Sequence, residues 1–308
     1  MFFTLSIILL LLLIVILIVF IACKRPKKTR ENLNHHVANP IKLSDNIINQ
    51  IDIPIYYINL DKSPERDEFM KNQFKRYGIK NYKRVQAING TNIKQSIKQF
   101  SKKHTYKVNG ISFWNNYTNL KHNELACTLS HLNAIRTAYQ DGHDMVLITE
   151  DDASFGLMPY WNKKLSQYTH EFPSNWGCVS LFNMACYIDK DLPAYIHIKD
   201  KICNGSVAYI INKKGMESAL ETMTTELLVM DKNHPKNHNI KSKLTSLADV
   251  FIFNRIDNCY ERKIPIIFPY NDSNQDSTIH THHTWRHNLF ANEIIKMYNS
   301  SLSLKDLK

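Results

Sequence analysis

The sequence predicts an α/β fold, a mixed sheet flanked by helices and preceded by one N-terminal transmembrane helix. Three observations carry this expectation. Met145 to Ile148 is an uncharged apolar run that soon meets Glu150-Asp151-Asp152, the pattern of a strand buried on both faces in a helix-covered parallel or mixed sheet. Residues 53 to 88 read as strand, capped helix and strand, which makes a βαβ unit. Phe2 to Cys23 contains no charge and only Thr4 and Ser6 as polar residues; at about 1.5 Å per residue it spans roughly 33 Å as a helix, enough for a bilayer core.

That first stretch lacks the positive start and short apolar core of a cleaved signal peptide, so it reads as an anchor. Lys24, Arg25, Lys27, Lys28 and Arg30 follow it at once, and positive flanks stay cytoplasmic by preference. The expectation is a single-pass membrane protein with its C-terminal part on the cytosolic side and the basic cluster against lipid head groups. A lumen-facing chain would instead offer Asn-x-Ser/Thr sites at Asn89, Asn116, Asn204, Asn271 and Asn299. The expected divisions are an anchor at 1–23, a basic and polar tether at 24–52, a folded domain at 53–290 and a tail at 291–308.

The chain has 308 residues, 44% of them hydrophobic, a net charge of +11 and six cysteines. The apolar content supplies a sizeable core for the domain. The cysteines show neither C-x-x-C spacing nor a dense framework and read as reduced, mostly buried thiols. The positive charge suggests anionic partners, but no helix-turn-helix, zinc-finger or aromatic RNA-binding signature is present, so nucleic acid is not the expected partner.

In chain order, Ile53 to Leu60 is the first strand. Ser63 stands where an N-cap belongs, with Pro64 and Glu65 in the first turn, and Met70, Phe74 and Tyr77 form a stripe that packs on the sheet before Gly78 ends the helix. A second strand, Tyr82 to Ile88, runs into Asn89-Gly90-Thr91. The right-handed crossover sets the loops after Leu60 and Ile88 at one sheet edge, where Arg66 is placed to meet a phosphate with help from the helix N-terminus; a surface arginine is the plainer alternative. Residues 92 to 120 form a polar excursion placed to cover that edge. A helix from Asn123 carries Leu125, Leu129 and Leu132 on one stripe and Glu124 and His131 on another, with Ser130 beside them. These three polar residues mark either a site or a satisfied structural histidine.

After the Met145 strand come a helix over Trp161 to His170, a strand over Cys178 to Phe182 and a hairpin-like region over Lys190 to Lys201. A strand over Gly205 to Ile211, a helix from Lys213 to about Met230 and a helix opened by Asp249 follow, and the last strand is Ile264 to Phe268. Asp249 reads either as a carboxylate at a helix N-terminus or as a general base. His280, His282, His283 and His287 lie close together without the second cluster that a tetrahedral zinc site needs; one of them, His280, could complete a metal held elsewhere.

Ligands collect outside the carboxyl ends of strands in open α/β sheets, and Glu150, Asp151 and Asp152 stand at such an end. Three adjacent carboxylates repel unless water, a base or a cation offsets them. Mg²⁺ and Mn²⁺ prefer this type of oxygen ligand, usually shared with substrate phosphates. A solvated acidic turn is the bland alternative.

Several stretches together resemble glycosyltransferase family 25, the group that includes bacterial lipooligosaccharide and collagen galactosyltransferases. They are Tyr57-Ile58-Asn59-Leu60-Asp61 with Glu65-Arg66, Ala87-Ile88-Asn89-Gly90, Glu124-Leu125-Ala126-Cys127 with Ser130-His131, and Leu147 to Asp152, followed by weaker matches at Gly205 to Ile210 with Gly215, at Ala248-Asp249 and at Gln275 with Ser277. The resemblance implies a GT-A-like, Rossmann-type sheet, a UDP-galactose or UDP-glucose donor and inverting transfer to a hydroxyl of a glycan, lipid or protein. It implies that Asn59, Leu60, Arg66, Asn89, Gly90, Glu124, Ser130 and His131 serve the donor. Glu150, Asp151 and Asp152 would hold Mn²⁺ or Mg²⁺, and Asp249 would be the base. Two rival readings are an inactive binding protein of the same fold, against which the intact acidic triplet argues, and a metal-dependent hydrolase.

Overall fold

Our computed structural model describes residues 50–92, 119–183, 191, 193–198, 205–220, 248–254, 256–269, 293, 294, 296 and 298. Contacts divide the chain into Met1–Leu43 and Ser44–Lys308, and every described residue belongs to the second unit.

Strand β1 (Ile55–Asn59) leads into helix α1 (Pro64–Arg76), and β2 (Tyr82–Gln86) returns parallel to β1. The βαβ unit is thus present as expected. All five residues of β1 are buried, because both faces are covered. On one face Phe74 of α1 meets the Tyr57 ring edge-on at 5.4 Å and stacks on Tyr82 at 4.2 Å. On the other, Tyr56 and Ile58 join a cluster with Leu125, Leu129 and Leu132 of helix α2 (Asn119–Gln140). Ser63 does occupy the N-cap position, but its side chain caps nothing; its carbonyl instead accepts a 3.1 Å bond from Asn59 Nδ2.

Helix α2 carries the chain back across β1 to β3 (Met145–Glu150), which pairs parallel to β1 on the side away from β2. Strand β1 therefore has neighbours reached in opposite directions, and such a switch point opens a crevice outside the carboxyl ends of the strands. Ile58 lies opposite Glu150 in this pairing, so the ends of β1 and β3 face each other across the crevice.

With β5 at Cys178–Ser180, β6 at Tyr195–His197, β7 at Ala208–Asn212 and β8 at Cys259–Arg262, the full strand order is β2-β1-β3-β7-β5-β8-β6. Strand β7 runs antiparallel to both β3 and β5. Strand β8 is parallel to β5, and β6 is antiparallel to β8 at the edge. Strand β4 (Ala153–Ser154) pairs separately with β9 (Phe268–Pro269). Because β7 is reversed, its entry lies beside the end of β3, and the Glu150 N–H donates to the Val207 carbonyl at 2.9 Å. Helix α3 (Leu165–Tyr168) is a single turn. Helix α4 (residues 213–220) and α5 (Ala248–Phe253) share the apolar cluster under α2.

Several expectations change. The helix expected from Asn123 begins at Asn119. The helix expected over Trp161 to His170 is the single turn of α3 followed by a 3-10 turn at Thr169–Glu171. The strand expected at Ile264 to Phe268 gives way to β8 and the short β9, because Pro265 has no N–H to donate to a ladder. Among the described residues no helix is long and apolar enough to cross a membrane, and this corrects the expectation of a single-pass membrane protein; Phe2 to Cys23 itself lies outside the described residues. So do residues 93–118 of the excursion expected at 92 to 120 and the histidine-rich stretch with His280.

At Gly215 the backbone of helix α4 comes close to the residue before β5: a Cβ there would lie 2.1 Å from the Gly177 carbonyl oxygen. Gly215→Ala is expected to destabilise the fold by about 1–3 kcal/mol, the usual cost of overpacking, read from urea denaturation midpoints.

Candidate active site

The crevice at the switch point is a cavity of about 80 Å³. Its walls come from four segments. Ile58, Leu60, Lys62, Ser63 and Arg66 follow or belong to β1 and the start of α1; Ala87, Ile88, Asn89 and Gly90 follow β2. Asn123, Ala126, Cys127, Ser130 and His131 come from one face of α2, and Glu150 and Asp151 close the end of β3. The loop after β2 is pinned to α2 by the Ile88 N–H, which donates to Ser130 Oγ at 2.8 Å. Gly90 permits their close approach, since a Cβ there would lie 2.1 Å from Asn123 Oδ1 and 2.7 Å from Asn123 Cα.

The acidic residues have three different environments. Asp151 is buried and held on both oxygens: Oδ1 accepts from Arg66 Nη1 at 2.9 Å and Oδ2 from Asn59 Nδ2 at 2.8 Å. Burial still leaves its carboxyl above the ordinary range, against the pull of Arg66 and Asn59. Glu150 Oε1 accepts from Ser206 Oγ at 2.6 Å. Burial works to raise the Glu150 carboxyl, but the facing His131, then Ser206 and Arg66, outweigh it and hold the group below its ordinary value. Asp152 is the unsatisfied member. Its Oδ1 is buried without a hydrogen-bond partner, and its Oδ2 lies 4.0 Å from Arg66 Nη1. Burial, and next the Glu150 charge, push its carboxyl up to about 8 despite Arg66.

This donor set fits a hard divalent cation. An ion of the Mn²⁺ or Mg²⁺ type takes oxygen ligands; Glu150 on the lining offers one, and the unpartnered Oδ1 of Asp152, which is not itself a lining residue, offers another. Asp151 is already committed to Arg66 and Asn59, so the three carboxylates do not act as equivalent ligands.

Of the residues expected at the site, Leu60, Arg66, Asn89, Gly90, Ser130, His131, Glu150 and Asp151 line the crevice. Asn59 does not border it: it is buried, and its Oδ1 accepts from Arg84 Nε at 2.8 Å while its amide holds Asp151 and the Ser63 carbonyl. Glu124 shares the His131 face two turns earlier on α2 and also stands outside the lining. Asn89 shapes its own turn, with Oδ1 accepting from Thr91 N at 3.0 Å and Thr91 Oγ1 at 2.8 Å. Asp249 Oδ2 accepts from the Gly205 N–H at 3.0 Å. Its charge reaches the crevice: after burial and Glu150, Asp249 is the next contributor raising the Cys127 thiol, ahead of Asp152 and Asp151. Sequence reasoning gave no site role to Asn123, Cys127 or Ser206, although the last two stand in the family-like blocks. The first two fall seven and three residues before Ser130 on the helix, opposite the leucine stripe, and that periodicity is the signal that finds them. Ser206 has no such pattern and is brought in only by the reversed strand β7.

Residues 52–233 match the family described as glycosyltransferase family 25 (LPS biosynthesis protein). The match takes in more than half of the chain, and the chain belongs to that family. No curated protein matches the sequence. Among solved structures, the glycosyltransferase GlyE of Streptococcus pneumoniae TIGR4 is similar, with 13% identity and a TM-score of 0.36 over 83% of this chain. The similar region is 64% of that chain's length, and a likeness this remote carries no argument about the site.

Replacing Arg66 leaves the buried Asp151 carboxylate without its cation. Arg66→Ala is expected to cost about 3–5 kcal/mol, the usual loss when one member of a buried pair is removed. The cost should shrink in acid, where a protonated Asp151 needs no counter-charge, and partly disappear in the Arg66→Ala, Asp151→Asn double variant; thermal denaturation across pH measures both.

Proposed function

We propose that the chain moves a hexose, galactose or glucose, from a UDP-sugar to an acceptor hydroxyl with inversion, and that the crevice between the ends of β1 and β3 receives the donor. Membership in a glycosyltransferase family supports the reaction class. The observation that carries the placement is the acidic cluster at the switch point, where Asp152 keeps a buried oxygen without a partner. Glu150 and Asp152 are the proposed ligands of Mn²⁺ or Mg²⁺. When bound, such an ion offsets the charge that develops on the leaving diphosphate.

The chain's own residues supply the remainder. Leu60, Asn89 and Gly90 shape the wall beside the donor, and Arg66, in the first turn of α1, adds positive charge there. Inversion needs a base for the acceptor proton, and Asp249 is the proposed base: it lies outside the lining, but it accepts from the Gly205 N–H next to Ser206, which holds Glu150. The family description points to a lipopolysaccharide-type glycan as acceptor, with a lipid or protein hydroxyl as the other acceptor classes.

Asp249→Asn tests the base. An asparagine oxygen can still accept from the Gly205 N–H, so the fold should survive. Sugar transfer should be abolished while UDP affinity, measured by calorimetry, stays nearly unchanged; retained turnover removes Asp249 from the mechanism.

The Asp152 carboxyl also sets a pH dependence. It lies near 3.9 in an unfolded chain and at about 8 in the fold. The metal-free folded protein thus holds an extra proton between those values, and it loses stability as pH rises from about 4 through about 8. A cation binds the ionised form, so the gain in melting temperature on adding Mn²⁺ should be larger at about pH 8 than at about pH 6. An equal gain at both would mean that Asp152 is not a ligand.

A further inference from the structure

The hard-cation reading uses Glu150 and Asp152 and gives no role to the side chains facing Glu150 across the crevice. Those are Cys127 and His131, four residues apart and therefore on one face of α2. One ligand atom each from Cys127, His131 and Glu150 can be chosen so that all lie within 4.8 Å of one another. His131 is fully buried, and its Nε2 has Glu150 Oε1 as its facing group, at 3.4 Å and without the geometry of a well-formed hydrogen bond. A buried ring nitrogen is not ordinarily left in that state.

We infer that Cys127, His131 and Glu150 form a second cation site in the crevice, suited to a borderline ion of the Zn²⁺ class. The spacing fits. Nitrogen and oxygen ligands at about 2.0–2.1 Å from a tetrahedral ion lie about 3.3 Å apart, close to the 3.4 Å between His131 Nε2 and Glu150 Oε1. The other ring nitrogen is already anchored, with His131 Nδ1 at 3.2 Å from the hydroxyl of the buried Tyr209, as metal-ligating histidines usually are. Glu150 is steadied in turn by the 2.6 Å bond from Ser206 Oγ. Thiolate and imidazole favour borderline and soft ions over Mg²⁺ or Mn²⁺. Three protein ligands leave a fourth position open towards the crevice, the arrangement of zinc sites that hold water or a ligand.

On binding, the Cys127 S–H bond is replaced by a sulfur–metal bond and the proton passes to buffer. Glu150 belongs to both ligand sets, so Zn²⁺ and the hard ion compete for it. That competition alone rests on the transferase reading; the site itself does not.

The test is a Co²⁺ titration of the metal-free full chain, with Co²⁺ as the spectroscopic stand-in for Zn²⁺. Wild type should develop a thiolate-to-cobalt charge-transfer band with tetrahedral visible bands, saturating at one ion per chain and bleached by Zn²⁺. The charge-transfer band should be lost in Cys127→Ser and in Cys127→Ala, with folding checked by circular dichroism. His131→Gln should weaken Co²⁺ affinity by at least about tenfold, the scale seen for losing even a supporting partner. Asp152→Asn should keep the band, so a wrong hard-cation assignment would not disturb the result. Absence of the band in wild type, or an unchanged band in both Cys127 variants, would overturn the site.

Discussion

The crevice depends on the contact between Arg66 and Asp151. Asp151 follows the central strand β3, Arg66 stands in the first turn of α1, and Asn59 ends β1. The two bonds to Asp151, at 2.9 and 2.8 Å, therefore tie three elements together at the sheet edge. Breaking such a buried pair strands a charge, so the contact fixes geometry more than it adds stability. Its further consequence is to divide the carboxylates. With Asp151 held by Arg66 and Asn59, and Glu150 held by Ser206 and facing His131, Asp152 is the one among the three left with a buried oxygen unpartnered.

A good part of this was legible in the sequence. The apolar run before Glu150 and the Pro64-headed helix after β1 identified the buried strand β3 and the βαβ unit of β1 and β2, because strands buried on both faces and helix starts have strong local signals; that β3 pairs with β1 was not legible. The same signals put Arg66, Gly90 and Glu150 at one edge. What each residue does there was not legible. Asn59 reads like a donor ligand in its motif, yet its amide is consumed by long-range contacts to Asp151 and Arg84. The cation offsetting the acidic triplet turned out to be partly internal, and only the register of β1 against β3 shows it.

Strand β8 was hidden for a different reason. Its Cys-Tyr-Glu-Arg sequence looks polar and loop-like, but Glu261 is fully buried and alternates inward with Cys259. The neighbouring Ile264 to Phe268 run looked more strand-like and contains Pro265. Ser206 was hidden as well, because nothing local states that β7 runs antiparallel to β3. Tertiary pairing decides such cases, and propensity does not.

The central claim is that Asp151 serves the architecture while Asp152 meets the cation. Calorimetric titration of UDP, with and without Mn²⁺, into wild type and folded Asp152→Asn tests it most directly. The account predicts that wild type binds UDP more tightly with Mn²⁺ and that this metal-dependent gain vanishes in Asp152→Asn. An undiminished gain in the variant would contradict it.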